Sequence, residues 1–488
     1  MNNHYITTPI YYASGEPHLG HAYTSMVASL YRRYHTVCGD SAYLITGTDE
    51  HGQKIETAAA TAGVPVQDFV ADKSVAFSEL WQSLKLPVDA FVRTTDSDHV
   101  AYVQAYWNRL LDRGDLYLGR YEGLYCVDCE QYVTSGETCE IHRKPLTPYA
   151  EPSYFFRLSH YQDALIEHIE AHTDFITPES RRQEVLSFLK GQPLRDLSVS
   201  RTSTRWGVPV PDDPDHVIYV WLDALLTYVT AAPGGERGWE EASTRTHFIG
   251  KDILTFHGVY WPALLLAGGL KLPDRIVANG WLTVEGRKIA KSDPATIVDP
   301  AALARSVGTD GLPWYLIRGV RLGQDVNFDR EHLRTVLNAD LANGLGNLVA
   351  RTIGLTRKRF PDQLDTQTAI DHETYDALIF SIDQVGARLT SFRISQAAEA
   401  FVAGISLLNR YLQQREPWKL PDEDCAPVLA TVLRGLCDLS VVAAVFVPDI
   451  AARIRVALAC PETPYWNDIG RKSWGSLSDS SPVFARLS

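Results

Sequence analysis

The chain has 488 residues, of which 45% are hydrophobic and 22% charged, and its formal net charge is −13. A chain of this length needs more than one hydrophobic core, and its composition excludes a disordered or low-complexity protein. The acidic balance argues against general attraction to nucleic acid but leaves room for a local basic patch. The start is neither basic nor apolar, no apolar run reaches membrane-spanning length, and the seven cysteines show no disulfide pattern. We therefore expect a cytoplasmic protein with no secretory leader and no membrane partner.

Strand and helix patterns alternate in the N-terminal part of the chain. Tyr5–Tyr12 is rich in β-forming residues, and after a turn a helical period begins at His18. A second strand pattern at 42–46 runs into the polar loop Gly47–Gly52, and helical patterns continue through Leu111. This alternation predicts a parallel α/β sheet, whose ligands bind beyond the carboxyl ends of the strands, where both loops lie.

The rest of the chain contains three further kinds of sequence. Residues 115–210 are aromatic, turn-rich and cysteine-bearing, which indicates an insertion. The α/β pattern then returns, with candidate strands at 216–219, 247–250 and 275–277. From about residue 331 the pattern is almost wholly helical and predicts a separate helical domain. Its apolar spacing predicts helices over 333–360, 373–390, 395–413 and 426–458.

Four residues have the spacing of a zinc knuckle: Cys126, Cys129, Cys139 and His142. Three thiolates and one imidazole form a closed tetrahedral set, which is typical of structural zinc and leaves no open position for catalysis. The alternative is a chance grouping of cytosolic cysteines. The remaining cysteines are isolated in the sequence, and we expect them to be small buried residues: Cys38, Cys425, Cys437 and Cys460.

Two short segments are candidates for binding phosphate. In the segment from His18 to His21, Gly20 allows close approach to a helix start, where free N–H groups and the helix dipole favour an anion. Lys288 and Lys291, three positions apart, could neutralise a polyphosphate. Each signal is weak by itself, because a histidine at a helix start is usually a cap and paired lysines are usually solvated.

Together these segments resemble class I aminoacyl-tRNA synthetases. The element His18–His21 is similar to the first ATP motif of the class, and Lys288–Ser292 is similar to the second. Further segments resemble the methionyl-tRNA synthetases, and the resemblance covers nearly the whole chain. They are Thr7–Tyr12, Thr46–Ile55, Trp206–Pro211, Val220–Ala224, Gly250–Leu254, Phe256–Ala263, Asn338–Asn343 and Pro482–Leu487.

The resemblance implies an α/β fold with a Rossmann-type catalytic domain, an inserted zinc-knuckle domain and an all-α anticodon-binding domain. The implied boundaries are 1–114 and 211–295 for the two catalytic halves, 115–210 for the insertion, 296–330 for a linker contacting the tRNA stem, and 331–488 for the helical domain. No dimerisation module follows the helical domain, so we expect a monomer.

The resemblance also implies a two-step ligase reaction. Methionine attacks the α-phosphate of ATP to give methionyl-adenylate, and the 3′ end of tRNA(Met) then takes the methionyl group. The implied partners are L-methionine, ATP with Mg²⁺ and tRNA(Met), and the implied resident metal is one structural Zn²⁺. Positioning and charge neutralisation would carry the catalysis.

The implied site residues follow from the matched motifs. The catalytic set is His18, His21, Lys288 and Lys291, and the ATP set is His18, Gly20, His21, Gly250, Asp252 and Lys291. The methionine set is Ile10, Tyr12, Asp49, Trp221, Ala224, Tyr228, Ile253, His257 and Trp261, with Asp49 pairing with the substrate ammonium. Tyr228 and His257 could each donate a hydrogen bond to the thioether sulfur. The anticodon set is Asn347, Arg351 and Trp418.

The second ATP motif departs from the family pattern. Ile289 and Ala290 replace its usual methionine and serine, and Asp293–Ala295 stands where the family has a Gly-Asn turn. Proline stiffens this loop and aspartate adds negative charge beside phosphate. An alternative therefore stays open, in which a paralogue adenylates an amino acid and passes it to a small amine or hydroxylamine. A regulator that only binds tRNA is a third interpretation, but it requires a lost ATP site, and the motif histidines and lysines are present.

Overall fold

The computed structural model describes residues 2–126, 131–133, 137–139, 145–284, 286–289, 298–319, 322–471, 473–478 and 483–487. Its N-terminal part alternates β1 (Asn3–Tyr12), α1 (Leu19–Val37), β2 (Ser41–Asp49), α2 (Gln53–Ala62), α3 (Val66–Ser83), β3 (Ala90–Arg93) and α4 (Ser97–Asp112). The predicted β1, α1 and β2 are confirmed. The sequence reading missed β3, because four residues are too few to show a period against flanking helices.

The next stretch forms two small antiparallel sheets. Its elements are β4 (Leu116–Cys126), β5 (Gln131–Val133), β6 (Thr147–Phe156), α5 (Gln162–Ala171), β7 (Ile176–Thr177), α6 (Glu179–Gly191), β8 (Leu197–Ser198), β9 (Ser200–Arg201), β10 (Pro209–Val210) and β11 (Asp213–Ile218). One sheet has the order β5-β4-β6-β8, and the other has the order β10-β11-β9. The strand predicted at 216–219 overlaps β11, so its assignment to the parallel sheet was wrong. The preceding turn pairs β11 with β10 instead.

The elements further along the chain contribute two strands to the parallel sheet and also form a separate three-stranded sheet. They are α7 (Val220–Thr230), α8 (Glu236–Glu241), β12 (Thr244–Gly250), α9 (Trp261–Gly268), β13 (Arg275–Asn279), β14 (Leu282–Val284), β15 (Arg287–Lys288), α10 (Pro300–Val307), α11 (Gly311–Gly319) and β16 (Val326–Phe328). The sheet has six strands in the order β3-β2-β1-β12-β13-β7. The order reverses at β1, which pairs in parallel with both β2 and β12. In such a sheet the crevice beyond the carboxyl ends of these strands is where ligands bind.

The C-terminal region is helical, as predicted. It contains α12 (Arg330–Leu337), α13 (Asn347–Arg359), α14 (His372–Thr390), α15 (Ile394–Arg415), α16 (Asp422–Phe446) and α17 (Pro448–Ala457), with a π-helical segment, Asn338–Gly346, between α12 and α13. The single helix predicted over 426–458 was wrong, because α16 ends at Phe446 and α17 begins at Pro448. Proline disfavours helical geometry at the residue before it, and Val447 has φ −137° and ψ 71°.

The helix α16 is the central helix of this region and also contacts the parallel-sheet region. It is long and apolar enough to cross a membrane, but 89% of its most apolar stretch is buried inside the fold. It packs against α1, where Arg33 Nε donates a hydrogen bond to the Val445 carbonyl over 2.8 Å. One cluster of buried apolar side chains therefore extends from α1 through α16.

Candidate functional site

A cleft of about 400 Å³ opens at the crevice between β1 and β12, the position that the strand order favours for a ligand. Its walls come from the end of β1, the start of α1, the helix α7 and the segment after β12. The cleft brings together most of the residues predicted for ATP and methionine. These are Ile10, Tyr12, His18, Gly20, His21, Asp49, Trp221, Ala224, Tyr228, Gly250, Asp252, Ile253 and His257.

The paired ends of β1 and β2 form one wall. The register places Tyr12 opposite Asp49, and the Asp49 side chain lies in the cleft although the residue is only 4% exposed. Two residues earlier on β2, a Cβ at Gly47 would lie 2.0 Å from the Val92 carbonyl oxygen. Only glycine fits this approach to the neighbouring strand, so Gly47 sets how closely β3 lies to β2 just before Asp49.

The opposite wall comes from one face of α7. Trp221, Ala224 and Tyr228 are three and four positions apart, so their side chains line the same face of the helix. The Trp221 ring stacks on Phe256, with ring centroids 3.7 Å apart. Phe256 lines the cleft too, but the sequence reading did not assign it to the site, although it lies in a segment that carries the family resemblance.

The polar atoms of Tyr228 and His257 are directed at each other. Burial lowers the pKa of His257 to about 4, so the imidazole is neutral at physiological pH. Its Nδ1 lies 3.0 Å from the Ile253 carbonyl, which can only accept, so Nδ1 carries the proton. Its Nε2 therefore accepts from the Tyr228 hydroxyl over 2.8 Å. The prediction that both residues donate to sulfur does not fit this arrangement, because both hydrogens have protein acceptors.

A second buried histidine supports this wall from behind. His247 is fully buried, and burial lowers its pKa well below the ordinary value. Trp261 Nε1 donates to His247 Nε2 over 3.1 Å, so the proton of His247 is on Nδ1, 2.6 Å from the Thr7 hydroxyl. Trp261 is completely buried and packs edge-on against Tyr228. It lies behind the cleft wall, whereas the resemblance had implied that it surrounds the thioether.

A buried carboxylate connects the two walls. Asp223 on α7 contacts His51 Nδ1 over 2.7 Å and His99 Nε2 over 2.8 Å. Burial alone would raise the pKa of Asp223, but the two imidazoles outweigh it and lower the pKa. The His51 carbonyl accepts from the Tyr12 hydroxyl over 3.1 Å. The sequence reading missed this network, because its members are 124 and 172 positions apart.

The start of α1 holds two stacked imidazoles. His18 Nδ1 accepts from the Gly20 backbone N–H, and His21 Nδ1 accepts from the His18 backbone N–H, each over 3.1 Å. Both rings are therefore neutral with their protons on Nε2, and their centroids lie 3.7 Å apart. A Cβ at Gly20 would lie 3.0 Å from the His18 ring. A side chain at this position would crowd the capping ring, so glycine suits the cap itself as well as the approach of a ligand.

The end of β12 and the segment that follows it carry the predicted residues Gly250 and Asp252. A Cβ at Gly250 would lie 2.5 Å from Asp252 Oδ1, so the absence of a side chain lets the carboxylate lie against the backbone. The neighbouring Lys251 lies over the ring of Trp281, 4.0 Å from its centroid, and pairs with Asp325 over 2.7 Å. Trp281 lines the cleft, and the sequence reading had not included it.

Three of the predicted site residues lie outside the described residues. Lys288 is in the short strand β15, and Lys291, Cys129 and His142 are outside the described residues. Cys126 and Cys139 are both buried and form a small cluster with Leu146.

A cluster of three residues of the types that bind metals lies at the other end of the strands from the cleft. His4, His35 and Asp40 have ligand atoms within 4.8 Å of one another. The two imidazoles stack with centroids 3.6 Å apart, and burial lowers the pKa of His35 to about 4. This cluster lies at the start of β1, far along the strand from the cleft.

Two of the predicted anticodon residues, Arg351 and Trp418, are in contact on the surface of the helical region. Arg351 on α13 lies over the Trp418 ring, 5.3 Å from its centroid, and Trp418 is 38% exposed. Asn347 is exposed one turn before Arg351 on the same helix. Together they form a polar and aromatic patch.

Comparison with known proteins agrees with this geometry. Residues 4–144 and 135–353 match the family model described as tRNA synthetases class I (M). The chain belongs to the class I (M) tRNA synthetases. A catalytic domain of this class with a parallel sheet, followed by a helical C-terminal region, is thereby confirmed.

Relatives of this family match over nearly the whole chain. The methionine–tRNA ligase of Thermotoga maritima is 38% identical over 98% of this chain and 78% of its own length. That of Streptomyces coelicolor is 38% identical over 98% of this chain and 91% of its own length. The crystal structure of Mycobacterium tuberculosis methionyl-tRNA synthetase bound by methionyl-adenylate superposes with a TM-score of 0.93 at 34% identity, covering 99% of this chain and all of that one.

Proposed function

We propose that this chain is a methionine–tRNA ligase that forms methionyl-adenylate from methionine and ATP and then transfers the methionyl group to tRNA(Met). The cleft is the observation that supports the proposal most strongly. An aromatic wall, a buried carboxylate and two capping histidines line it at the carboxyl ends of β1 and β12, in a chain of this synthetase class. The small-amine alternative has no such support, because relatives that match nearly the whole of this chain are methionine–tRNA ligases.

In the first step the two ends of the cleft have different tasks. The Nε2–H groups of His18 and His21 donate to phosphate oxygens, where the helix start also favours an anion. The Asp49 carboxylate pairs with the methionine ammonium, which holds the substrate carboxylate toward the α-phosphate. Lys288 and Lys291 neutralise charge that develops during the displacement. Mg²⁺ accompanies ATP as part of the substrate.

The adenylate side of the cleft is formed by Gly250 and Asp252, where the missing side chain of Gly250 makes room for the Asp252 carboxylate. We place the ribose of the adenylate beside them. A carboxylate can accept hydrogen bonds from ribose hydroxyls, and this contact fixes the nucleotide without taking part in the displacement.

The methionine side chain lies between Tyr12, Trp221 and Tyr228, with Ile10, Ala224, Ile253 and His257 completing its surroundings. Since the polar hydrogens of Tyr228 and His257 have protein acceptors, shape and burial select the thioether rather than a donated hydrogen bond. A site of this kind discriminates by about 1–3 kcal/mol per methylene gained or lost. Trp261 lies behind this wall and holds the Tyr228 ring in place.

In the second step the helical region selects the tRNA. An exposed Trp418 stacks on an unpaired base, and Asn347 and Arg351 reach base edges beside it. Arg357 and Lys358, near the end of α13, supply local positive charge on an acidic chain, whereas Arg359 is paired with Asp422.

A structural zinc fits the insertion. Cys126 and Cys139 are buried in one cluster, and thiolates are preferred zinc ligands. We propose that Cys129 and His142 complete the tetrahedral set, which makes the metal a folding element of the insertion. Metal analysis of purified protein should find about one zinc per chain. Intact protein without zinc would contradict the knuckle.

Methionine-dependent ATP–pyrophosphate exchange, measured beside charging of tRNA(Met), tests the proposed function. We expect both activities, with exchange independent of tRNA. Exchange without charging would mean that the acyl group has another acceptor, and absence of both would contradict the proposal for the cleft.

A further inference from the structure

Two cysteines that are remote in sequence meet inside the helical region. Cys437 lies in the middle of α16 and is only 4% exposed, whereas Cys460 follows α17 and is half-buried. Their sulfur atoms are 3.1 Å apart, although the residues are 23 positions apart along the chain. The break at Val447, which turns α17 back along α16, brings them together. The sequence reading had treated both as isolated buried residues.

The surroundings make the two thiols unequal. The hydrogen bond between the two sulfur atoms lowers the pKa of Cys460, and the nearby Arg455 guanidinium lowers it further. The same hydrogen bond and burial raise the pKa of Cys437 well above its ordinary value. The pair therefore consists of a more acidic, partly accessible thiol and a buried, less acidic thiol.

Arg455 is held in place by the turn that contains Cys460. Its Nε donates to the Pro461 carbonyl over 2.8 Å, and its Nη1 donates to the Ser440 hydroxyl over 3.0 Å. The Cys460 backbone N–H donates to the Arg455 carbonyl over 2.9 Å. Because these contacts tie the turn to α16, the two sulfur atoms stay adjacent without a covalent bond.

We propose that Cys437 and Cys460 form an oxidation site at which a hydroperoxide produces a reversible intramolecular disulfide. The Cys460 thiolate attacks the peroxide oxygen, the O–O bond breaks, and Cys460 becomes a sulfenic acid as water or an alcohol leaves. The Cys437 thiol then attacks the Cys460 sulfur, and the sulfenic hydroxyl leaves with the thiol proton as water. Two thiols are oxidised by two electrons and the peroxide is reduced by the same two. Cytosolic disulfides are typically of this transient kind.

Peptide mapping of the reduced, full-length protein after mild hydrogen peroxide tests the proposal. Trypsin places Cys437 in peptide 435–453 and Cys460 in peptide 456–471. After alkylation without reduction, we expect these two peptides to be linked, and dithiothreitol should separate them. Cys38 is the internal reference, because burial raises its pKa to about 11 and it should stay reduced.

Three serine variants complete the test. Cys437→Ser should stop at a sulfenic acid on Cys460 that dimedone traps, Cys460→Ser should leave Cys437 unreacted, and Cys425→Ser, the matched control in α16, should still form the link. Oxidation of Cys460 to sulfinic acid without a linked peptide in the wild-type protein would overturn the proposal. So would linkage of Cys460 mainly to a cysteine of the insertion. The wild-type measurement decides the question even if Cys437→Ser impairs folding of α16.

Discussion

Removing the hydroxyl of Tyr228 tests the contribution of a single hydrogen bond in the wall of the cleft. In Tyr228→Phe the Nε2 of His257 loses its donor, and the low pKa of His257 prevents the ring from gaining a proton to compensate. A buried acceptor left without a partner costs about 1–3 kcal/mol. In the empty cleft, water can reach Nε2, but methionine displaces that water and offers no donor from its thioether.

The penalty should therefore fall mainly on methionine binding. A loss of about 1–2 kcal/mol corresponds to about a 5- to 30-fold rise in the KM for methionine, at RT of about 0.59 kcal/mol. The KM for ATP should not change, because the histidines at the start of α1 are unaffected. Pyrophosphate exchange at varied methionine and varied ATP measures both constants.

Tyr5→Phe is the matched control for this variant. The Tyr5 hydroxyl donates to the backbone carbonyl of Tyr228 over 2.9 Å, and it is buried one layer below the wall. This variant should lower the melting temperature while leaving the KM for methionine unchanged. If Tyr228→Phe behaved like Tyr5→Phe, with lower stability and an unchanged KM, the argument that this hydrogen bond belongs to the methionine pocket would be wrong.

Three other predictions concern separate parts of the chain. Trp418→Ala should reduce tRNA charging by about 5- to 150-fold, since base stacking contributes about 1–3 kcal/mol, while exchange is unchanged; equal loss in both assays would make Trp418 structural. Lys291→Ala should lower exchange strongly and leave methionine binding intact by calorimetry, with Lys271→Ala as the surface control; normal exchange would exclude the proposed role. Burial raises the pKa of Asp438 to about 6, so its ionisation opposes folding and stability is lost as pH rises from about 4 to 6. In urea unfolding, the stability of Asp438→Asn relative to the wild type should therefore increase from pH 5 to pH 7.5, whatever the variant loses in its bond to the Tyr375 hydroxyl, and an equal difference at both pH values would contradict this.

The sequence predicted the elements whose patterns are long and local. The strand β1, the helix α1 and most helices after residue 330 repeat one period over enough residues to be read without neighbours. Short elements were missed or misassigned, because β3 and β7 have four and two residues and are defined by the strands they pair with. The break at Pro448 was a local signal that the apolar run on both sides obscured.

In the candidate site, too, the sequence predicted the features with a local signal and missed those that depend on distant residues. The residues that line the cleft came from motifs, and the structure brings most of them together. The side chains that hold these lining residues in place were not predicted, because contacts such as that of His247 with Thr7 join residues 240 positions apart. The sequence also could not predict the tautomers of His18, His21 and His257, since each depends on which backbone group faces Nδ1.

The helix α1 works as a rigid rod between two distant parts of the molecule. Its first turn carries the stacked imidazoles of the cleft, and near its last turns Arg33 is bonded to α16. Nineteen residues make a rod about 28 Å long at 1.5 Å per residue. A tilt of about 4° around its midpoint would displace each end by about 1 Å, enough to make or break a hydrogen bond at the imidazoles. A shift of α16 that tilts α1 would therefore displace the imidazoles at the start of α1 relative to the rest of the cleft.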